Sequence, residues 1–206
     1  MKRPRRALGC SVVAAVVLAT GLGLFYNGYG PMALMDRGGT TQLSPGEAKA
    51  DLDGSLQAAM GAVVPPMAYF GGFYAVDRRP EHADGEPSLL SGVREVVSVR
   101  TKVTPAKVPV LLDRMRQVWG GQCRPEVTGE AAAKRYTDLN CSGRGDTLFT
   151  LSVVSSTTDS TVQVFMSAEV FTVRYQPGAD YGVPPIGERP TGQELTPDVD
   201  DPYWSH

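Results

Sequence analysis

Residues 93–121 read VREVVSVRTKVTPAKVPVLLDRMRQVWGG, and the fold turns on how this stretch is divided. Its first part, Val93 to Val103, is a strand. Val97, Val99, Thr101 and Val103 alternate with Ser98, Arg100 and Lys102, the two-residue period of a half-buried strand. The period then changes. Thr104 stands where a helix cap belongs, and Pro105 suits the first helical position, where its missing N–H is no loss. Val108, Leu111, Leu112, Met115, Val118 and Trp119 recur at helical spacing, with Lys107, Asp113, Arg114 and Arg116 mostly outside that stripe. Pro109 is tolerable only because it falls near the first turn. Gly120-Gly121 ends the helix in a left-handed turn. A helix with one apolar face, following a strand, is expected to pack on a sheet.

Upstream, Ser44 to Val63 reads as a helix. Ser44, Pro45 and Glu47 have capping-box spacing, and Leu52, Leu56, Ala59, Met60 and Val63 share one face. Pro65-Pro66 stops it. Asp51 and Asp53 lack the spacing of a calcium loop and read as the helix's wet face. Met67 to Val76, MAYFGGFYAV, is extended and bent at Gly71-Gly72. Its aromatics, Tyr69, Phe70, Phe73 and Tyr74, read as core; one wall of a ligand groove is the alternative. Asp77 to Gly92 is a polar loop. His82 lies there near Glu81, Asp84 and Glu86, but one histidine with flexible acids does not make a metal site. Irregular loops on a rigid scaffold often carry binding. The candidate binding residues are therefore Arg78, Arg79 and His82, with Tyr69 and Tyr74 from the preceding strand.

Downstream, Arg135 to Cys141, Thr147 to Ser155 and Thr161 to Tyr175 read as strands joined by turns at 142–146 and 156–160. Cys123 and Cys141 read as a structural disulfide between the helix end and this hairpin; redox or metal chemistry would want closer spacing or more ligands. The resulting order, α-β-β-α-β-β-β over residues 44–175, predicts an α+β domain. It is a two-layer sandwich with a mainly antiparallel sheet, two helices on one face, and the other face partly open. Residues 176–206 hold six prolines, four glycines and six acids against one arginine, and are expected to be disordered.

The N-terminal stretch Ala7 to Tyr26, ALGCSVVAAVVLATGLGLFY, carries no charge and follows Lys2, Arg3, Arg5 and Arg6. Its length matches a bilayer core of about 30 Å, and the basic flank keeps the N-terminus cytoplasmic. An uncleaved signal anchor over residues 1–26 is the favoured reading, with 27–43 as a Gly-rich linker. A cleaved signal peptide and secretion is the alternative. A lipoprotein is rejected, because only Ala7 and Leu8 precede Cys10 as apolar residues. After Tyr26 there are 16 basic and 22 acidic residues, with the excess concentrated in the tail, so no basic face suggests nucleic acid.

One isoleucine, two asparagines and five lysines against fifteen arginines indicate GC-rich coding. The chain resembles uncharacterised membrane-anchored or secreted proteins of GC-rich actinobacteria. The resemblance rests on Leu52-Asp53-Gly54-Ser55 through Val64-Pro65-Pro66, and above all on Val99-Arg100-Thr101-Lys102-Val103-Thr104-Pro105-Ala106-Lys107 running into Leu111-Leu112 and Trp119. It implies kinship and no activity. There is no G-x-S-x-G and no H-E-x-x-H, and no cofactor motif. The expectation is a non-enzymatic module of the cell envelope, held to the lipid bilayer by residues 7–26, that binds a protein or a small molecule. A hydrolase and a structural subunit of a secretion or division complex are the alternatives.

Overall fold

The computed structural model of the chain describes residues 42–78, 88–120, 122–124, 127–131, 133–143, 147–187 and 195–206. The anchor stretch 7–26 and nearly all of the linker lie outside them. Among the described residues no helix is long and apolar enough to cross a membrane.

The first helix, α1 (Pro45–Ala62), begins as its sequence specifies. The Ser44 N–H donates to Glu47 Oε2 at 2.8 Å, and the Glu47 N–H donates back to Ser44 Oγ at 3.3 Å. These reciprocal bonds satisfy two donors that a helix start otherwise leaves bare. Ala48, Leu52, Leu56 and Ala59 form its buried face. Two strands follow, β1 (Tyr69–Arg78) and β2 (Leu90–Val99). The second helix, α2, is shorter than the sequence reading. Residues Pro105–Lys107 form a 3-10 turn, Thr104 makes no side-chain cap bond, and the α-helix proper is Val108–Trp119. The reason is Pro109. It has no N–H for an α-helical bond to Pro105, and its ring crowds that carbonyl. The far end agrees with expectation, since Gly120 has φ 58° and returns its N–H to Arg116.

Four strands complete the chain: β3 (Val127–Ala131), β4 (Lys134–Ser142), β5 (Thr147–Ser156) and β6 (Val162–Arg174). The sheet order is β1-β2-β6-β5-β4-β3, antiparallel throughout. The chain therefore leaves the sheet after β2, crosses through α2 to the far edge, and returns as a meander that ends against β2. The strand β3 is one more than the sequence reading allowed. Its segment, VTGEA, lacks an alternating apolar pattern, and it is held by backbone pairing to β4.

Both helices lie on one face. α1 packs on β6 and β2, and α2 on β4 and β5. The inward residues Leu139, Phe149, Leu151, Val153, Val164, Met166 and Ala168 join Leu52, Leu56, Leu111, Leu112 and Met115 in one core. On the other face Thr150, Ser152, Val154, Phe165 and Ser167 are only half-buried. This is the two-layer α+β arrangement expected. The Cys123–Cys141 disulfide is formed and ties the α2 end to β4.

The described parts of the tail, 176–187 and 195–206, are packed on the domain, contrary to the expectation of disorder. Trp204 is fully buried, and Tyr181 and Leu195 are each 7 % exposed. Val199 bridges to Thr101, Gly187 O accepts from the Gly72 N–H at 2.9 Å, and Arg100 and Lys102 meet Asp198 and Asp200. Average composition hides these few well-placed apolar side chains, and the acids have basic partners on the domain. Leu43, assigned to the linker, likewise pairs with the end of β6.

Gly72 has no room for a side chain. A Cβ there would lie 2.8 Å from the Val96 carbonyl oxygen and 3.2 Å from Val97 Cγ1 and Ile186 Cδ1. The oxygen is backbone in the β1–β2 ladder, so the strand itself must move. Gly72→Ala is expected to cost about 1–3 kcal/mol, as overpacking does. Urea unfolding measures this, and a loss below about 0.5 kcal/mol would contradict the contact geometry.

Candidate functional site

Two features stand out on the helix face. The first is a part-buried polar cluster under α1. Lys49 and Asp53 are one turn apart on the helix, so they share a side, and both face the sheet. Tyr74 of β1 and Glu95 of β2 are paired residues in adjacent strands, so their side chains stand together on the face below. Lys49 Nζ donates to Asp53 Oδ2 at 2.6 Å and to the Tyr74 hydroxyl at 2.9 Å, and the Tyr74 O–H donates to Asp53 Oδ1. Tyr181 of the tail packs against Tyr74 with ring centroids 5.7 Å apart and planes tilted by 38°.

Glu95 completes the cluster and is 2 % exposed. Its Oε2 has no hydrogen-bond partner among the described residues. Burial pushes its pKa up to about 7, helped by the negative charge of Asp53 and a hydrogen bond to it, and opposed by the charge of Lys49. Burial, the bond to Asp53 and the charges of Glu95 and Asp53 hold the Tyr74 hydroxyl protonated far above the usual phenol range.

The second feature is a cleft of about 940 Å³ between α1, the end of α2 and the β4–β5 connection. Trp119 and Phe149 stack within it at 5.3 Å with their planes 13° apart. The wall from α1 is built of small residues. Ala50, Gly54, Ala58 and Ala62 are exposed at every fourth position, which makes one smooth ridge along the helix, and the last three line the cleft. Asp51, Ser55 and Thr147 supply polar groups at the same opening.

The binding residues expected from sequence do not assemble into one site. Arg79 and His82 lie outside the described residues. Tyr69 is largely buried, its hydroxyl is without a partner among the described residues, and burial raises its pKa. Arg78 is at the other end of the same ten-residue strand, about 30 Å away. It lies over the Tyr175 ring at 4.4 Å. Tyr74 alone falls in the polar cluster. Asp53, read as a solvated helix acid, is paired and faces inward, while Asp51 is exposed as expected.

Lys49, Asp53 and Glu95 were missed, and for Glu95 a signal exists. Val93, Glu95, Val97 and Val99 are in phase, so a period-2 strand carries the glutamate inward with the valines. Among the described residues no group of three or more histidine, cysteine, aspartate or glutamate side chains is placed to hold a metal ion. No protein-family model matches the chain, and neither a curated protein nor a solved structure shows significant similarity to it.

Proposed function

We propose that this chain is a binding module of the cell envelope, held at the membrane by residues 7–26, whose α1–α2 cleft receives a helical segment of a protein partner. One observation carries the reading. Gly54 lies in the middle of α1, and a Cβ added there meets nothing within 4 Å. A helix-interior glycine costs about 1 kcal/mol relative to alanine, and nothing inside the domain requires it. A second helix pressed against the ridge of Ala50, Gly54, Ala58 and Ala62 would gain from it, because small residues let two helix axes approach, although Gly61, off the ridge, is equally open. The stacked Trp119 and Phe149 are largely buried and form a rigid apolar floor to the cleft. The disulfide supports an extracytoplasmic location, where such bonds persist. The hydrolase reading would have to use the Asp53–Glu95 pair, and it is weakened by Glu95 being buried and Asp53 already engaged by Lys49 and Tyr74.

The test is crosslinking in cells, followed by capture from membranes and an intact-mass measurement on the same sample. Ala58→Trp fills the cleft from an exposed position, and Gln57→Trp changes a neighbouring residue that does not line it. Capture of the partner is expected to be lost at least tenfold in the first variant, the cost of about 1.4 kcal/mol or more of binding energy, and kept in the second. Equal capture by both overturns the reading. A discrete assembly held through residues 7–26 and indifferent to Ala58→Trp would favour a structural subunit. A mass lacking the first 26 residues would mean secretion rather than anchoring.

A further inference from the structure

The cluster beneath α1 holds two carboxyl groups and one ammonium; Glu95 is buried at its base, while Lys49 and Asp53 are partly exposed at its rim. Lys49 compensates one carboxylate, and Asp53 takes that place, accepting from Lys49 Nζ and from the Tyr74 hydroxyl. Among the described residues Glu95 has no second cation. The groups that face it are Lys49 and Asp53 from α1 and Tyr74 from β1, while its paired position on β6 is Ala168. Arg94 and its partner Glu169 pair with each other on the opposite face of the sheet, at 2.6 Å. An ionised Glu95 would therefore put a second, buried negative charge beside Asp53, with one oxygen unpartnered among the described residues, a costly state.

We propose that this cluster is a proton-operated latch: it ties the first half of α1 to β1 and β2 while Glu95 keeps its proton, and that half is released when the proton leaves to solvent. This goes beyond the reading of the cleft and does not depend on it. The groups that move are already at a seam between elements. Lys49 and Asp53 lie in the first ten residues of the helix, and Tyr74 and Tyr181 meet where the tail crosses β1. The relevant pH window is near neutral. Glu95 has its proton affinity raised from an ordinary value of 4.5 to about 7 by burial and by Asp53. A group raised in this way stabilises the fold fully below its unfolded value, and that contribution is lost as pH rises through the folded value.

The experiment uses the full chain in detergent, as wild type and as Glu95→Gln, which keeps the shape and cannot ionise. The folding equilibrium constant of the wild type, relative to Glu95→Gln, is expected to fall roughly 50- to 100-fold between pH 5 and pH 8. Hydrogen exchange, corrected for the intrinsic pH dependence, is expected to show protection falling at least tenfold in the wild type, mainly in the first half of α1. Identical pH dependence in the two proteins overturns the latch, as does a loss of protection spread evenly over the domain. Should Glu95→Gln fail to fold, the side-chain carboxyl carbon of Glu95 in the wild type decides by NMR titration. A midpoint near 7 accompanied by loss of α1 protection supports the latch, and a midpoint below about 5.5 removes it.

Discussion

Trp204→Ala is expected to cost the fold about 3–5 kcal/mol, as large-to-small changes of a buried tryptophan do. Trp204 is the largest fully buried side chain in the described structure, although it is the third residue from the C-terminal end of the sequence. Its Nε1 donates to the Pro65 carbonyl at 3.0 Å, just beyond the end of α1. Its own carbonyl accepts from the Thr104 N–H at 3.0 Å, where the chain turns toward α2. Tyr203 meets its ring edge-on at 5.0 Å, and the Arg114 guanidinium lies 5.0 Å from it. One side chain thus joins the exit of α1, the entry of α2 and the tail. Asp201 prepares its position, since Oδ1 accepts from the N–H groups of both Tyr203 and Trp204 at 2.9 Å. Two contributions are separable. Trp204→Phe keeps most of the volume and removes the part-buried bond to Pro65, and is expected to cost about 0.5–1.5 kcal/mol, the net value of a typical hydrogen bond. Urea unfolding followed by far-ultraviolet circular dichroism measures both. A loss below 1 kcal/mol for Trp204→Ala would show that the tail is an accessory to the fold.

The legible parts of the fold were those with a local cause. The α1 capping box, the α2 stripe and the Gly120 turn are each written within a few residues, and the structure has them in place. Three parts had causes that no local window contains. β3 exists because β4 offers it a backbone ladder, and its side chains do not announce it. The packed tail depends on a handful of anchors within a polar, proline-rich composition, so an average over the segment points the wrong way. The candidate site was the least visible. Glu95 is polar by type and inward by phase, and Asp53 has a solvated residue's identity with a buried residue's partners. Reading phase before residue type would have marked Glu95 as a charge at a core position, where a compensating group must be sought.

Removing the Cys123–Cys141 bond is expected to cost about 3 kcal/mol, the chain-entropy value for a loop of this size; the cysteines are 18 residues apart. The loop closed by the bond contains β3 and most of β4, the strands farthest from α1. β3 is a five-residue edge strand with a single neighbour, and its partner β4 has exposed residues at Lys134, Arg135 and Tyr136. Little burial holds this corner, so the constraint on the unfolded chain matters more here than at the centre of the sheet. The comparison is Cys123→Ala with Cys141→Ala against the oxidised protein, both carrying Cys10→Ser so that the third cysteine cannot exchange. Cys141 is fully buried, so the alanine also removes a sulfur from the core, and part of the loss is packing. The slope of unfolding free energy against urea separates the two. Release of the loop lets the denatured chain expand and raises the slope, whereas a packing defect lowers the midpoint at constant slope. A steeper slope with a lower midpoint is the expected result. An unchanged slope with a loss near 1 kcal/mol would mean that backbone pairing already fixes the corner and that the bond's main contribution is the packing of Cys141.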